Sequence, residues 1–200
     1  MKNFRIYVEG GGDSSFTLRK CRVAFRRFFE KIMPRGKLPK IIACGGRGRT
    51  YKRFSQAFNE FRGGNVILLV DSEGPVSDPV WVHLKNRDKW DSSGFSDESA
   101  QLMVQSMESW FLADKEALEE FYGQGFNSSS LPARENIEEI SKNDVKTGLD
   151  NASRNTSKGT YHKTRHGFDI LALMDPEKLD DMRVSKHAFR LFSRLRQLTC

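Results

Sequence analysis

The stretch from Asn65 to Asp71 constrains the fold more than any other, because Val66-Ile67-Leu68-Leu69-Val70 is apolar at every position and ends on a carboxylate. A strand with one face in water alternates apolar and polar residues, so an unbroken aliphatic run predicts a strand covered on both faces. Such strands belong to parallel sheets packed between helices. The preceding chain agrees. Phe4-Arg5-Ile6-Tyr7-Val8 is rich in β-formers and predicts a first strand ending at Glu9, broken by Gly10-Gly11-Gly12. Asp13 or Ser14 is placed to cap a helix whose Cys21, Phe25, Phe28, Phe29 and Ile32 recur at helical spacing, with Pro34 to Gly36 ending it. Lys40 to Cys44 reads as a second strand, closed by Gly45-Gly46-Arg47-Gly48-Arg49. A second helix then shows Tyr51, Phe54, Phe58 and Phe61 on one face and stops at Gly63-Gly64.

Strand, helix, strand, helix, strand with right-handed crossovers sets the C-terminal strand ends on one rim, and Glu9 and Asp71 with them. Residues 72–98, holding Pro75, Pro79 and Gly94, are expected to form a long loop or small insertion near that rim. A fourth strand is expected from Gln101 to Ser106, and Glu108 opens the turn into a helix from about Ser109 to Tyr122. Beyond Gly123 the expectation is a polar helix near Arg134 to Ser141, a polar basic loop over residues 150–166, and closing helices at Gly167 to Met174 and Ser185 to Leu198. The division is thus an α/β core, residues 1–122, and a C-terminal helical extension with a basic loop, residues 123–200, packed on the same domain.

In 200 residues, 38% hydrophobic content with 15 Phe fills one sizeable core. No run approaches the ~18 to 20 apolar residues of a membrane span, and the N-terminus lacks a basic-then-apolar signal pattern, so a soluble cytoplasmic protein is expected. Cys21, Cys44 and Cys200 are odd in number and far apart, which argues against a disulfide framework or a zinc site and for reduced thiols, two of them buried. Charge is segregated. Residues 19–62 hold 14 Lys+Arg against Glu30 and Glu60, whereas residues 71–120 hold 12 acidic and 4 basic groups, within a chain of net charge +7. A basic stretch preceding an acidic one suits a grip on phosphates beside a metal; two solvated helix faces of opposite sign are the other reading.

The acidic residues near strand ends are Glu9, Asp71 with Glu73, and Glu108 followed by Asp114. Converging carboxylates repel as water is excluded, and a hard cation such as Mg²⁺ or Mn²⁺ neutralises them. Asp71 and Glu73, two apart, are spaced to reach one cation, although an Asx turn at Asp71 also explains that pair. Glu108 is the preferred member of the third island, with Asp114 left open. Gly10 to Gly12 fits neither G-x-G-x-x-G nor the P-loop pattern. The loop Gly45 to Thr50 suits a polyanion, since glycine admits phosphate to backbone amides and arginine supplies a forked donor, or it is simply a solvated loop. Tyr161-His162-Lys163 with Arg165 and His166 is a second source of cations. Four histidines show no zinc-binding spacing.

These stretches resemble the Toprim domain of topoisomerases, primases and overcoming-lysogenization-defect nucleases, which has a Glu after its first strand and Asp-x-Asp after a later one. More closely, the chain resembles the Toprim-like bacterial proteins grouped as domain of unknown function 4276. The matching residues are Val8-Glu9-Gly10 with Asp13, Leu69 to Glu73, Met107 to Asp114, and Tyr161-His162-Lys163 before Gly167 to Leu171. The resemblance implies a four-stranded, mainly parallel sheet between helices, with Glu9 and Asp71 as the Toprim carboxylates. One departure is Asp71-Ser72-Glu73 in place of Asp-x-Asp, where the longer side chain shifts any metal. Relatives often stand beside an ABC-type ATPase in presumed defence loci, which implies a protein partner.

The expected activity is a Mg²⁺- or Mn²⁺-dependent phosphodiesterase on DNA or RNA, the effector subunit of a bacterial defence complex. In it Glu9, Asp71 and Glu73 are metal ligands, with Glu9 alternatively a general base, and Glu108 and Lys163 assist. Arg47, Arg49, Lys52, Arg53 and Arg165 contact nucleic acid. The rival expectation is a non-catalytic subunit binding nucleic acid or an ATPase.

Overall fold

The computed structural model describes residues 4–61 and 65–199. Strands β1 (Arg5–Val8), β2 (Lys40–Ala43), β3 (Val66–Asp71) and β4 (Ala100–Met103) form one sheet in the order β2-β1-β3-β4, with every pair parallel. Helix α1 (Ser15–Glu30) joins β1 to β2, α2 (Arg47–Glu60) joins β2 to β3, and α3 (Val80–Asp88) lies between β3 and β4. After β4 come α4 (Met107–Trp110), α5 (Lys115–Tyr122), α6 (Lys142–Ser153), α7 (Phe168–Leu173) and α8 (Lys186–Thr199).

Every residue of β3 is buried, and its alternation divides them between two cores. Ile67 and Leu69 join Ile6, Val8, Phe25 and Phe28 of β1 and α1 with Trp110, Ile170, Leu191 and Phe192 from beyond the sheet. Val66, Leu68 and Val70 join Phe54, Trp81 and Leu84 of α2 and α3 on the opposite face. The α/β architecture with helices on both faces follows from this two-sided burial. The helices after β4 share the first core directly: Phe28 stacks on Trp110 of α4 with centroids 5.6 Å apart, and Phe192 of α8 lies 6.1 Å from Phe28. Lys31 donates from Nζ to the Met174 carbonyl at 2.7 Å, holding the end of α7 against α1.

Several local expectations are corrected. Residues 72–98 are not merely loop, because α3 buries Trp81 and Leu84 in the second core. The helix expected from Ser109 to Tyr122 breaks into α4, a 3₁₀ turn at Phe111–Ala113 and α5, because Asp114 leaves helical geometry to cap α5, accepting from the Ala117 N–H at 3.2 Å. Residues 134–141 hold only a 3₁₀ turn at Ile137–Glu139. The helix starts later, where the Ser141 hydroxyl accepts the Asp144 N–H. The expected loop from residue 150 is helical through Ser153 and includes a π-helical turn at Lys163–Gly167. Arg47-Gly48-Arg49 is the first turn of α2 rather than loop. Strand β4 is Ala100–Met103, shifted from Gln101 to Ser106. Cys21 and Cys44 are buried free thiols, while Cys200 and the Gly63-Gly64 stop lie outside the described residues.

Candidate metal centre

Parallel pairing sets the site. Val8 lies beside Leu69 and Asp71 beside Met103, so β1 and β3 end on the same rim and deliver Glu9 and Asp71 together. Glu9, Asp71 and Glu73 each offer one carboxylate oxygen, and these oxygens lie within 4.8 Å of one another. The cleft around them has a volume of about 280 Å³ and is lined by Gly10 to Gly12, Gly45, Gly46, Met107, Lys163 and Phe168 as well as the acids. Its glycine wall is tightly built: Gly10 and Gly45 exchange backbone hydrogen bonds of 2.9 and 3.1 Å. At Gly45 (φ +81°) a Cβ would lie 2.5 Å from the Gly12 carbonyl oxygen, so only glycine fits.

Each carboxylate is anchored through one oxygen. Glu9 Oε2 accepts from the Asp71 N–H at 3.3 Å and from Arg47 Nη1 at 3.1 Å. Asp71 Oδ1 accepts from the Met107 N–H at 2.8 Å, leaving Oδ2, among the described residues, with Lys163 Nζ alone at 3.5 Å. Glu73 Oε2 accepts from Lys142 Nζ at 2.5 Å. Glu73 itself has φ +67°, a left-handed conformation uncommon outside glycine. Its N–H donates to the Gln105 carbonyl at 2.8 Å, which fixes that turn beside α4. The donor set is therefore three oxygen ligands, each with a second oxygen little engaged by protein, and this suits a hard divalent cation such as Mg²⁺ or Mn²⁺ rather than a soft metal.

Electrostatics separate the members. Burial and the Asp71 carboxylate push Glu9 up to about 7, against the pull of Arg47. Burial pushes Asp71 up to about 6, with Lys163 opposing and Glu108 adding to the shift. Burial also acts on Glu73, but the ammonium of Lys142 and the guanidinium of Arg87 outweigh it and hold this carboxyl below its usual range. Lys163 stands at the start of the π-helical turn, 3.2 Å from Glu108 and 3.5 Å from Asp71. Burial disfavours its charge, yet these two anions hold it above the ordinary lysine range. Tyr161 donates its hydroxyl to Glu108 Oε1 at 3.1 Å, so Glu108 orients both residues.

Arg47 points inward. Its guanidinium grips Asp88 through Nε at 2.8 Å and Nη2 at 2.7 Å, reaches Glu9, donates to the Asp71 carbonyl and packs 4.9 Å from the Trp90 ring. Arg49 is half exposed and pairs with Asp13 at 2.9 Å, while Lys52 and Arg53 are exposed on α2. Arg165 is exposed, and its carbonyl accepts from Lys20 Nζ at 3.3 Å. Asp114 stands apart from the cluster in its capping role, also accepting from the Asp175 N–H at 2.8 Å and Lys178 Nζ at 2.9 Å. His166 is buried between Tyr122 and the His162 N–H, and burial keeps it below the usual histidine range. The partners missed from sequence are Asp88, Lys142 and Tyr161 in its bond to Glu108; only Tyr161 carried a signal, its place beside Lys163.

Fold and site together define an α/β protein with a carboxylate cluster at the C-terminal edge of a parallel sheet. The chain belongs to the family described as Domain of unknown function (DUF4276), which it matches over residues 8–196. No curated protein and no solved structure matches it. Among the described residues no helix is long and apolar enough to cross a membrane.

Proposed function

We propose that the cleft is the metal-dependent centre of a phosphodiesterase acting on DNA or RNA. The observation that carries this reading is the approach of Glu9, after β1, to Asp71 and Glu73, at and just beyond the end of β3, with carboxylate oxygens within 4.8 Å of one another in a glycine-walled cleft beside Lys163. Four anions including Glu108 crowd one rim, and burial, joined by the neighbouring carboxylates, raises Glu9 and Asp71 by more than Arg47 and Lys163 offset. Mg²⁺ or Mn²⁺ held there would supply a more acidic water and would offset negative charge on the phosphoryl oxygens. Glu9, Asp71 and Glu73 would hold the ion, and Arg47, braced by Asp88, fixes the Glu9 carboxylate. Lys163 offsets charge on the phosphate oxygens, positioned by Glu108. The glycines let a phosphate approach the backbone closely. On the Toprim resemblance, the reading extends to an intracellular effector subunit of a bacterial defence complex working with an ABC-type ATPase.

The rival, a non-catalytic subunit that binds nucleic acid or an ATPase, draws on a specific observation: Arg47, Lys142 and Lys163 already pair with Glu9, Glu73, Asp71 and Glu108. The deciding experiment follows metal-dependent melting of the chain together with cleavage by the assembled complex, for wild type and Asp71→Ala. The phosphodiesterase reading expects both signals in wild type and neither in the variant; equal cleavage and equal metal response would hand the site to the rival.

A further inference from the structure

We propose that the nucleic acid entering this cleft is single-stranded and runs from it along the outer face of α1. Three concavities adjoin one another: the cleft, a groove of about 290 Å³ between α1 and α7, and a recess of about 620 Å³ at the N-terminal edge of β1 and β2. Phe168 lines both the cleft and the groove, and Val23 lines both the groove and the recess, so the three succeed one another along α1.

This path is basic along its length. Arg19, Lys20 and Arg27 line the groove, and Arg22, Arg26 and Lys40 line the recess. Lys20 pairs with Asp169 at 2.8 Å and Arg26 with Glu30 at 2.7 Å, whereas Arg19, Arg22, Arg27 and Lys40 pair with no carboxylate among the described residues. Such unspent cations complement a phosphate backbone. The 16 residues of α1 span about 24 Å, room for roughly seven phosphates of a stacked strand.

An aromatic ring sets the strandedness. Phe16, in the first turn of α1 and on the groove wall, is 69% exposed, more than any other large apolar residue described, and Val23 is 41% exposed further along. A bare phenyl ring flanked by cations offers a stacking face to a base, and only a single strand has unstacked bases to offer. Helix α2 is the poorer track: Arg47 is turned inward and Arg49 is paired with Asp13, and although Lys52 and Arg53 are exposed, none of its residues is an exposed large apolar side chain that could stack a base.

The proposal rests on the phosphodiesterase reading of the cleft, but its test needs no cleavage. Fluorescence anisotropy in EDTA is measured for the full chain with 12-nucleotide oligo(dT), oligo(rU) and a 12-base-pair duplex, across a salt series. Phe16→Ala should weaken single-strand binding about ten-fold, and Arg19→Gln/Arg22→Gln/Arg27→Gln should reduce the salt slope by about 2. The corresponding change at Arg49, Lys52 and Arg53 should leave both nearly as in wild type. All these side chains are exposed, so folding is not at stake. The proposal is overturned by a wild type with no affinity for either strand, which would reserve the face for an acidic protein. It is equally overturned by duplex binding as tight as single-strand binding, by an unaffected Phe16→Ala, or by losses confined to the α2 variant. Weakened binding in the α1 variants beside undiminished cleavage by Asp71→Ala would keep the track and remove the cleft assignment; the opposite pattern would remove the track alone.

Discussion

Asp71 and Asp114 are both buried, at 4% and 3% exposure, yet the protein treats their charges in opposite ways. Asp114 receives two backbone N–H groups and the Lys178 ammonium, all within 3.2 Å, and these outweigh burial and hold its carboxyl below the usual range. Asp71 receives one N–H at 2.8 Å and a more distant ammonium, stands near Glu108, and is pushed up to about 6. A carboxylate whose donors all come from the chain is a structural tie, here joining α5 to the segment before α8. A carboxylate gathered with others and given fewer donors is what the proposed metal centre requires.

The largest expected effect tests that contrast directly. Asp71→Ala should lower metal-dependent cleavage about a thousand-fold or more, the equivalent of roughly 4 kcal/mol of transition-state stabilisation. Asp114→Ala should cleave like wild type per folded molecule, as measured at a temperature where both are native. Stability should rank the two oppositely. Asp114→Ala removes a helix cap and strands the Asp175 N–H and Lys178, so it should cost about 3 kcal/mol and lower Tm by roughly 6 to 12 °C. Metal-free Asp71→Asn keeps an acceptor for Met107 and sheds a crowded charge, so its Tm should equal or exceed that of wild type. Equal destabilisation by the two variants would erase the distinction.

How far this contrast was legible in the sequence depends on distance along the chain. The strands and main helices were readable because their signal is local: an apolar run at Val66 to Val70, and Phe25, Phe28 and Phe29 at helical spacing. Topology then brought Glu9 and Asp71 together, since parallel order leaves little freedom once strand and helix alternate. Short elements escaped. Helix α3 buries only Val80, Trp81 and Leu84, leaves Val82 exposed and follows Pro79, so its short pattern does not rise above a loop. The partners that set each charge were beyond reach, because Arg47 meets Asp88 across 41 residues and Glu73 meets Lys142 across 69. Asp114 was ambiguous for the same reason: its Lys178 lies 64 residues on.

Arg47 offers a smaller test from inside the site. Lysine in its place keeps the charge but loses the forked grip on Asp88, freeing Glu9 to turn. Arg47→Lys should therefore weaken Mn²⁺ binding about 10- to 100-fold, as read by metal-dependent melting or calorimetry, with metal-free oligonucleotide affinity unchanged. The reverse, intact metal affinity with weakened oligonucleotide binding, would return Arg47 to the phosphate grip.

The smallest effect is a pH dependence, and its sign separates the two kinds of carboxylate. Asp71 and Glu9 have native pKa values of about 6 and about 7, above their ordinary values of 3.8 and 4.5. Between those limits the native metal-free protein holds more protons than the unfolded chain, so these groups lower stability as pH rises from about 4 to 7. Asp114, held below its ordinary value, acts oppositely: its contribution is present above pH 4 and is lost as pH falls through its native pKa. The difference in stability between wild type and Asp71→Asn, measured in EDTA, isolates one group from the rest. It should favour the variant by on the order of 1 kcal/mol at pH 7 and shrink toward pH 4. Added Mn²⁺ should invert the trend in wild type alone, because ligation requires both acids deprotonated and so strengthens from pH 5 to 7. A difference that stays flat across this range would mean that Arg47 and Lys163 already satisfy Asp71 and Glu9 as fully as Lys178 satisfies Asp114, and the cluster would then be an internal ion-pair network belonging to a binding subunit.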